Sequence, residues 1–165
     1  MKKPRVAIYM GSASDAPTME EALKTLRELG VECEMAVASA HRSPERAQML
    51  ANTAEKRGVE VIIVGAGGAA HLAGVMAASS ILPIIGVPLD SSALKGLDAL
   101  LATVQMPGGV PVATMAIGKA GAKNAGLFAA QILARKDPDL AKRLHEQKRA
   151  MAAAVEESSK QVEAL

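Results

Sequence analysis

Short apolar runs that end in loops of small residues constrain this chain more than any other feature. Three times in the first 71 of its 165 residues such a run gives way to a loop carrying reactive side chains. The loops are Gly11-Ser12-Ala13-Ser14-Asp15, Ser39-Ala40-His41-Arg42-Ser43-Pro44 and Gly65-Ala66-Gly67-Gly68-Ala69-Ala70-His71. Helical patterns separate the runs, and strands alternating with helices predict a parallel sheet covered on both faces. Ligands bind beyond the carboxyl ends of the strands in such a sheet. Two histidines, an arginine, an aspartate and several hydroxyls are therefore expected in one crevice, a set suited to an enzyme of small phosphorylated substrates.

The chain can be followed in more detail. A strand over Arg5–Met10 leads into a helix with Ser14 or Asp15 as cap, Pro17 in its first turn, Leu23, Leu26 and Leu29 on one face and Gly30 as its stop. A second strand, 32–38, precedes a helix opened by the Ser43-Pro44 pair, with Glu45 complementing its dipole, and closed by Gly58. Continuous apolar character marks Val59–Gly65 as a strand covered on both sides. A helix over 69–79, a strand over Ile84–Leu89, a helix over 93–103, a short strand over 112–116 and an Ala-rich helix over 119–135 complete the body. Right-handed crossovers then favour a three-layer α/β/α arrangement with a flavodoxin-like sheet order. We place the body at residues 1–135 and a helical tail at 136–165, opened by Asp137-Pro138. Leu140, Leu144, Met151, Val155 and Val162 form one stripe on that tail, expected to pack on the body or a neighbouring subunit, with frayed last residues.

Composition removes several classes. Only Tyr9 and Phe128 are aromatic, so a base-stacking nucleic-acid surface lacks its material. A net charge of +2 is too small for a phosphate-backbone footprint. Cys33 is the single cysteine, which excludes an intrachain disulfide and fits a reducing cytosol. The first residues run straight into a strand with no secretory pattern, so a cytoplasmic location is expected. No charge occurs from Val61 to Leu89, but seven glycines and prolines within it (Gly65, Gly67, Gly68, Gly74, Pro83, Gly86 and Pro88), together with His71, argue against a membrane span. Between Gly68 and Gly118 the only formal charges are Asp90, Lys95 and Asp98. So much neutral surface on a small domain predicts a homo-oligomer.

Each candidate has a competing explanation. Ser14 and Asp15 can serve as helix caps alone, whereas two serines and a carboxylate beside a helix amino terminus also suit a phosphate. His41 and Arg42 precede the helix cap and are not needed to start the helix. Arginine grips phosphate through its planar fork, and imidazole exchanges protons near neutrality. For His71 the competing explanation is a buried histidine bonded to backbone. Gly65-x-Gly67-x-x-Ala70 with Asp90 beyond has the form of a dinucleotide fingerprint, but on the third strand and with His71 where the helix should begin. No His-x-x-x-His or Cys-x-x-Cys spacing supports a metal.

Taken together, Met10-Gly-Ser-Ala-Ser-Asp15, Ser39-Ala-His-Arg-Ser-Pro44, Gly65-Ala-Gly-Gly-Ala-Ala-His-Leu72, Ile85-Gly-Val-Pro88, Gln105-Met-Pro107 and Ala116-Ile-Gly-Lys-Ala-Gly121 resemble one family, from about Arg5 to Arg135. It is the N5-carboxyaminoimidazole ribonucleotide mutases, the bacterial class of the aminoimidazole ribonucleotide carboxylase family. The resemblance implies a flavodoxin-like domain assembled as an octamer, without metal or organic cofactor, that moves a carboxylate from an exocyclic nitrogen to ring carbon 4 of an aminoimidazole ribonucleotide in purine biosynthesis. It further implies His41 as the general acid–base and Ser12, Asp15 and Arg42 as substrate-binding positions, joined by Gly11, Ala40 and Leu72. Arg42 with the hydroxyls of Ser14 and Ser39 would take the phosphate, and Asp15 the ribose. Backbone of Gly67, Gly68, Ala69 and Ala70 would line the base and carboxylate, with His71 in support. A sister class that uses free carbon dioxide carries Lys after the histidine and lacks the Gly-Gly-Ala-Ala-His segment; Arg42 and Gly67–His71 follow the mutase pattern.

Overall fold

A computed structural model describes residues 3–165. Five strands, β1 (Val6–Met10), β2 (Cys33–Val37), β3 (Val61–Gly67), β4 (Ile84–Leu89) and β5 (Ala113–Thr114), form one parallel sheet in the order β2-β1-β3-β4-β5. That is the flavodoxin-like order, with its switch point between β1 and β3. Between the strands run α1 (Ala16–Glu28), α2 (Pro44–Arg57), α3 (Leu72–Ser79) and α4 (Leu97–Val104), followed by α5 (Gly118–Ala134) and α6 (Pro138–Glu163).

Strand residues alternate between two cores, because successive side chains leave a strand on opposite faces. Val6, Ile8, Met10, Val61, Ile63, Ile85 and Val87 pack with α1, α5 and the start of α6. Ala7, Tyr9, Ile62, Val64 and Ile84 pack with α2, α3 and α4. The second core is thin and Ala-rich, and its one large polar side chain is bonded. Tyr9 donates to Glu34 Oε1 at 2.6 Å, while Arg57 reaches both the phenol and the carboxylate, at 2.5 and 2.9 Å. Burial and the Glu34 carboxylate push the Tyr9 phenol well above its usual range. Burial pushes Glu34 up, but its bonds to Arg57 and Tyr9 outweigh that and leave it below the ordinary carboxylate range.

Several boundaries differ from the sequence-based expectation. Neither Ser14 nor Asp15 caps α1 through its side chain. A 3₁₀ turn at Ala13–Asp15 comes first, capped by Ser12, and the Asp15 carboxylate turns back to accept from the Ser12 amide at 3.1 Å. β3 runs two residues beyond Gly65, since Ala66 and Gly67 still pair with Pro88 and Leu89. Gly68 then turns left-handed at φ +58°, delaying α3 to Leu72. Lys95 and Gly96 are both left-handed, at +49° and +84°, so α4 starts at Leu97 rather than near Ala93. β5 keeps only two residues: it is an edge strand with a single neighbour, and Pro111 has no N–H to extend the ladder.

Asp137 caps α6 through the Leu140 amide and pairs with Arg5, and Arg143 donates to the Leu29 carbonyl at 2.9 Å. Leu140 and Leu144 are buried there, whereas Met151, Val155 and Val162 are exposed. The stripe therefore divides: its first two turns pack on the body, and the remainder projects, helical to Glu163. Among the described residues no helix is long and apolar enough to cross a membrane.

Candidate active site

Beyond the carboxyl ends of β1 to β4 lies a cleft of about 420 Å³, lined by Gly11, Ser12, Ser14, Asp15, Ser39, Ala40, His41, Arg42, Ala66, Gly67, Ala69, Leu72 and Ser91. A larger hollow of about 750 Å³ lies elsewhere, between α2 and the α3–β4 connection, and shares none of these residues. The chemistry-bearing side chains favour the smaller one.

The β1 loop is folded so that its hydroxyls face outward. Ser12 Oγ accepts from the Ser14 hydroxyl at 2.8 Å and from the Ser14 amide at 3.4 Å, which leaves its own proton to donate. Asp15 is buried beside them. Burial pushes its carboxyl above the ordinary value, and the Ser12 amide and the Arg42 charge pull only partly back. In the β2 loop Ser43 occupies the helix-cap position without capping. Its hydroxyl instead accepts from the Ser39 amide at 3.0 Å and donates to the Ser39 carbonyl at 3.3 Å, closing the turn that carries His41 and Arg42. Ser39 Oγ accepts from the Arg42 amide at 3.2 Å. Arg42 Nη2 donates to the Gly11 carbonyl at 3.0 Å, tying the β2 loop to the β1 loop, and its Nε donates to Ser39 Oγ at 3.5 Å, which leaves the remaining Nη hydrogens for an anion.

His41 reaches beyond the β1 loop to the β3 loop. Its Nε2 lies 2.8 Å from His71 Nδ1, with the rings edge to face at 77°. One proton lies between these nitrogens. When His71 carries it, His41 Nε2 is an acceptor, and when His41 carries it, the same nitrogen is a donor. The donor and acceptor roles of the two rings are thus linked through this contact.

The three loops meet as the sequence reading requires, with qualifications. Gly11, Ser12, Ser14, Asp15, Ser39, Ala40, His41, Arg42, Gly67, Ala69 and Leu72 line the cleft, whereas Gly68, Ala70 and His71 do not. Ala70 is buried in the α2–α4 core. His71 is exposed, not buried, and borders a separate hollow with Gly74, Val75 and Met106. Sequence reasoning missed Ala66 and Ser91. The signal for Ser91 was present, because Leu89-Asp90-Ser91-Ser92 is a fourth strand running into a small-residue loop. Among the described residues no three of His, Cys, Asp and Glu converge as metal ligands.

Asp15 offers a test of this electrostatics. A carboxyl raised by burial favours folding below its unfolded pKa and loses that advantage as pH rises through the folded value. At neutral pH the ionised group therefore works against the fold. Asp15→Asn is expected to raise the melting temperature by about 1–2 °C, as about 0.5 kcal/mol does in a domain of this size, and to weaken binding of whatever ligand the cleft takes. Calorimetric melting and titration check both; a lower melting temperature at pH 8 than the parent chain would contradict the assignment.

An open, doubly wound parallel sheet whose strand-end loops bring a histidine and an arginine to one cleft defines a single-sheet α/β protein. The chain belongs to the AIR carboxylase family, whose model matches residues 5–154. A Pyrococcus horikoshii protein named N5-carboxyaminoimidazole ribonucleotide mutase is 53% identical over 164 residues, 99% of this chain and 92% of its own length. A Bacillus subtilis protein of the same name is 57% identical over 160 residues, 97% of this chain and 99% of its own. The crystal structure of Treponema denticola PurE superposes with a TM-score of 0.86 at 27% identity, covering 96% of this chain and 98% of that one.

Proposed function

We propose that this protein is an isomerase converting N5-carboxyaminoimidazole ribonucleotide to 4-carboxy-5-aminoimidazole ribonucleotide in purine biosynthesis, with His41 as the acid and base. Protonation of the carbamate nitrogen by His41 breaks the N–C bond and releases carbon dioxide. The electron-rich carbon 4 attacks the trapped gas, forming the new C–C bond. His41 then recovers the proton that leaves carbon 4, so the imidazole ends as it began. Holding carbon dioxide beside carbon 4 keeps the second step effectively intramolecular. Arg42 with the hydroxyls of Ser14 and Ser39 binds the phosphate, Asp15 the ribose, Ser12 is a further substrate contact, and the backbone of Gly67 and Ala69 lines the base and carboxylate; no metal or organic cofactor enters these steps.

The observation that carries this reading is that His41 lines one cleft with Arg42, Ser12 and Asp15, its imidazole bonded to His71 of the β3 loop while Arg42 is bonded to Gly11 of the β1 loop. The test is to supply N5-carboxyaminoimidazole ribonucleotide without ATP or metal and follow the C4-carboxylated product. Absence of product between about pH 6 and 9, where a histidine can cycle, would reject the mutase. Faster turnover of aminoimidazole ribonucleotide with bicarbonate would assign the carboxylase instead.

We also propose a homo-oligomer, of eight subunits, located in the cytoplasm. Its support is the apolar surface left bare on one chain: Leu94, Leu97, Leu101 and Val104 are exposed along α4 and its approach, and Ile81 is 91% exposed. Light scattering should return a multiple of the 17.0 kDa chain mass, and a monomer at micromolar concentration would refute it.

A further inference from the structure

The sheet order arranges the loops in a line across the cleft: Ser39–Arg42 after β2, Ser12–Asp15 after β1, Gly67–Ala69 after β3 and Ser91 after β4. Arg42 reaches Gly11 of the adjacent β1 loop, at 3.0 Å, whereas His41 reaches farther, to His71 of the β3 loop, at 2.8 Å. The anion-gripping end is thus on the β2–β1 side, and the proton-transfer end lies toward β3 and β4. Among the described residues, Ser91 is the only polar side chain that the β4 loop brings to this second end of the cleft.

Its position is built in. A Cβ on Gly67 would come within 1.7 Å of Ser91 Oγ, so the missing side chain at 67 is the space this hydroxyl fills. The loop behind it is pinned. Ser92 Oγ donates to Asp98 Oδ2 at 2.7 Å and accepts from the Leu94 amide at 3.3 Å, and the Lys95 amide donates to the Ser92 carbonyl at 3.1 Å. Lys95 pays for this turn with a left-handed backbone that only glycine adopts freely. Among the described residues the Ser92 hydroxyl is thus spent on the loop, whereas no side chain engages the Ser91 hydroxyl.

We infer that Ser91 is a further substrate-binding residue, whose hydroxyl donates to the migrating carboxylate rather than to the phosphate or ribose. The inference rests on the mutase reading. A donor at that place holds the carboxyl group next to His41 in substrate and in product, and Asp98 acts as the positioning residue for the loop that presents it.

The experiment compares two ribonucleotides that differ only in the carboxylate. Calorimetric titration of 4-carboxy-5-aminoimidazole ribonucleotide and of aminoimidazole ribonucleotide is carried out on the full chain and on Ser91→Ala. Loss of one hydrogen bond to a charged group should weaken the carboxylated ligand about tenfold or more, with the other ligand within about twofold and turnover lowered. Gly67→Ala, whose methyl must displace the Ser91 hydroxyl, should give the same selective loss, and adding it to Ser91→Ala should give little more. Equal weakening of both ligands, or no weakening of either, overturns the inference while leaving the mutase reading intact. An unsubstituted chain that binds neither ribonucleotide overturns both.

Discussion

His41→Asn is expected to lower turnover by a factor of about 10²–10⁴, the usual contribution of a positioned proton-transfer group. Asparagine keeps a polar side chain of similar reach but cannot take up and return a proton. The loss should fall on kcat, because the binding groups do not depend on the imidazole. Arg42 is held by Gly11 and Ser39, Asp15 by the Ser12 amide, and Ser12 by Ser14. The one side-chain hydrogen bond of His41 among the described residues is to His71. Ribonucleotide affinity should accordingly stay within about threefold, a shift well below one hydrogen bond to a charged group. Steady-state rates and calorimetric titration separate the two quantities. Rates within tenfold of the parent would take His41 out of the chemistry, and an affinity loss equal to the rate loss would make it a binding residue.

The architecture was legible because its signals are local and repeated. Apolar runs such as Val61-Ile62-Ile63-Val64, uniformly buried in the structure, announce a strand covered on both faces, and Gly30 and Gly58 end their helices with positive φ. The cluster of His41, Arg42, Ser12 and Asp15 followed from topology, since parallel strands deliver all their loops to one edge. What stayed hidden depends on long-range pairing or on conformations that composition does not encode. Ala66 and Gly67 look like loop residues, and only their pairing with Pro88 and Leu89 makes them strand. Lys95 gives no hint of a left-handed backbone, so the start of α4 was misplaced. Ser91 went unnoticed because its neighbours carry no histidine or arginine to draw attention, and the contact between His41 and His71, thirty residues apart, has no sequence signature. The division of the α6 stripe likewise depends on where the body ends: Leu144 is covered and Met151 is not.

Gly121→Ala tests the packing that closes the far side of the sheet, and two effects of opposite sign compete there. In an exposed helix interior the change would stabilise by about 1 kcal/mol, because alanine loses less backbone freedom than glycine. Gly121 is buried in the first turns of α5, however, and an added Cβ would stand 1.6 Å from the Ala116 carbonyl oxygen and 2.6 Å from its carbon. The obstacle is main chain, so no side-chain rotation relieves it. Nor can α5 simply slide away: at Gly126 a Cβ would already be 3.0 Å from the Ala22 carbonyl of α1, which marks how tightly the two helices meet. Overpacking of this kind costs about 1–3 kcal/mol and sometimes more, and with unyielding backbone on one side the upper end applies. The clash therefore wins, with a net loss of about 2 kcal/mol and a melting temperature lower by about 4–8 °C. Gly108→Ala is the matched control, since a Cβ there meets nothing within 4 Å and the backbone is not left-handed. It should change stability by no more than about 0.5 kcal/mol. Equal melting temperatures for the two variants would mean that the β5–α5 junction yields freely, and that the tight turn from Ala116 into α5 is not what holds this edge of the sheet.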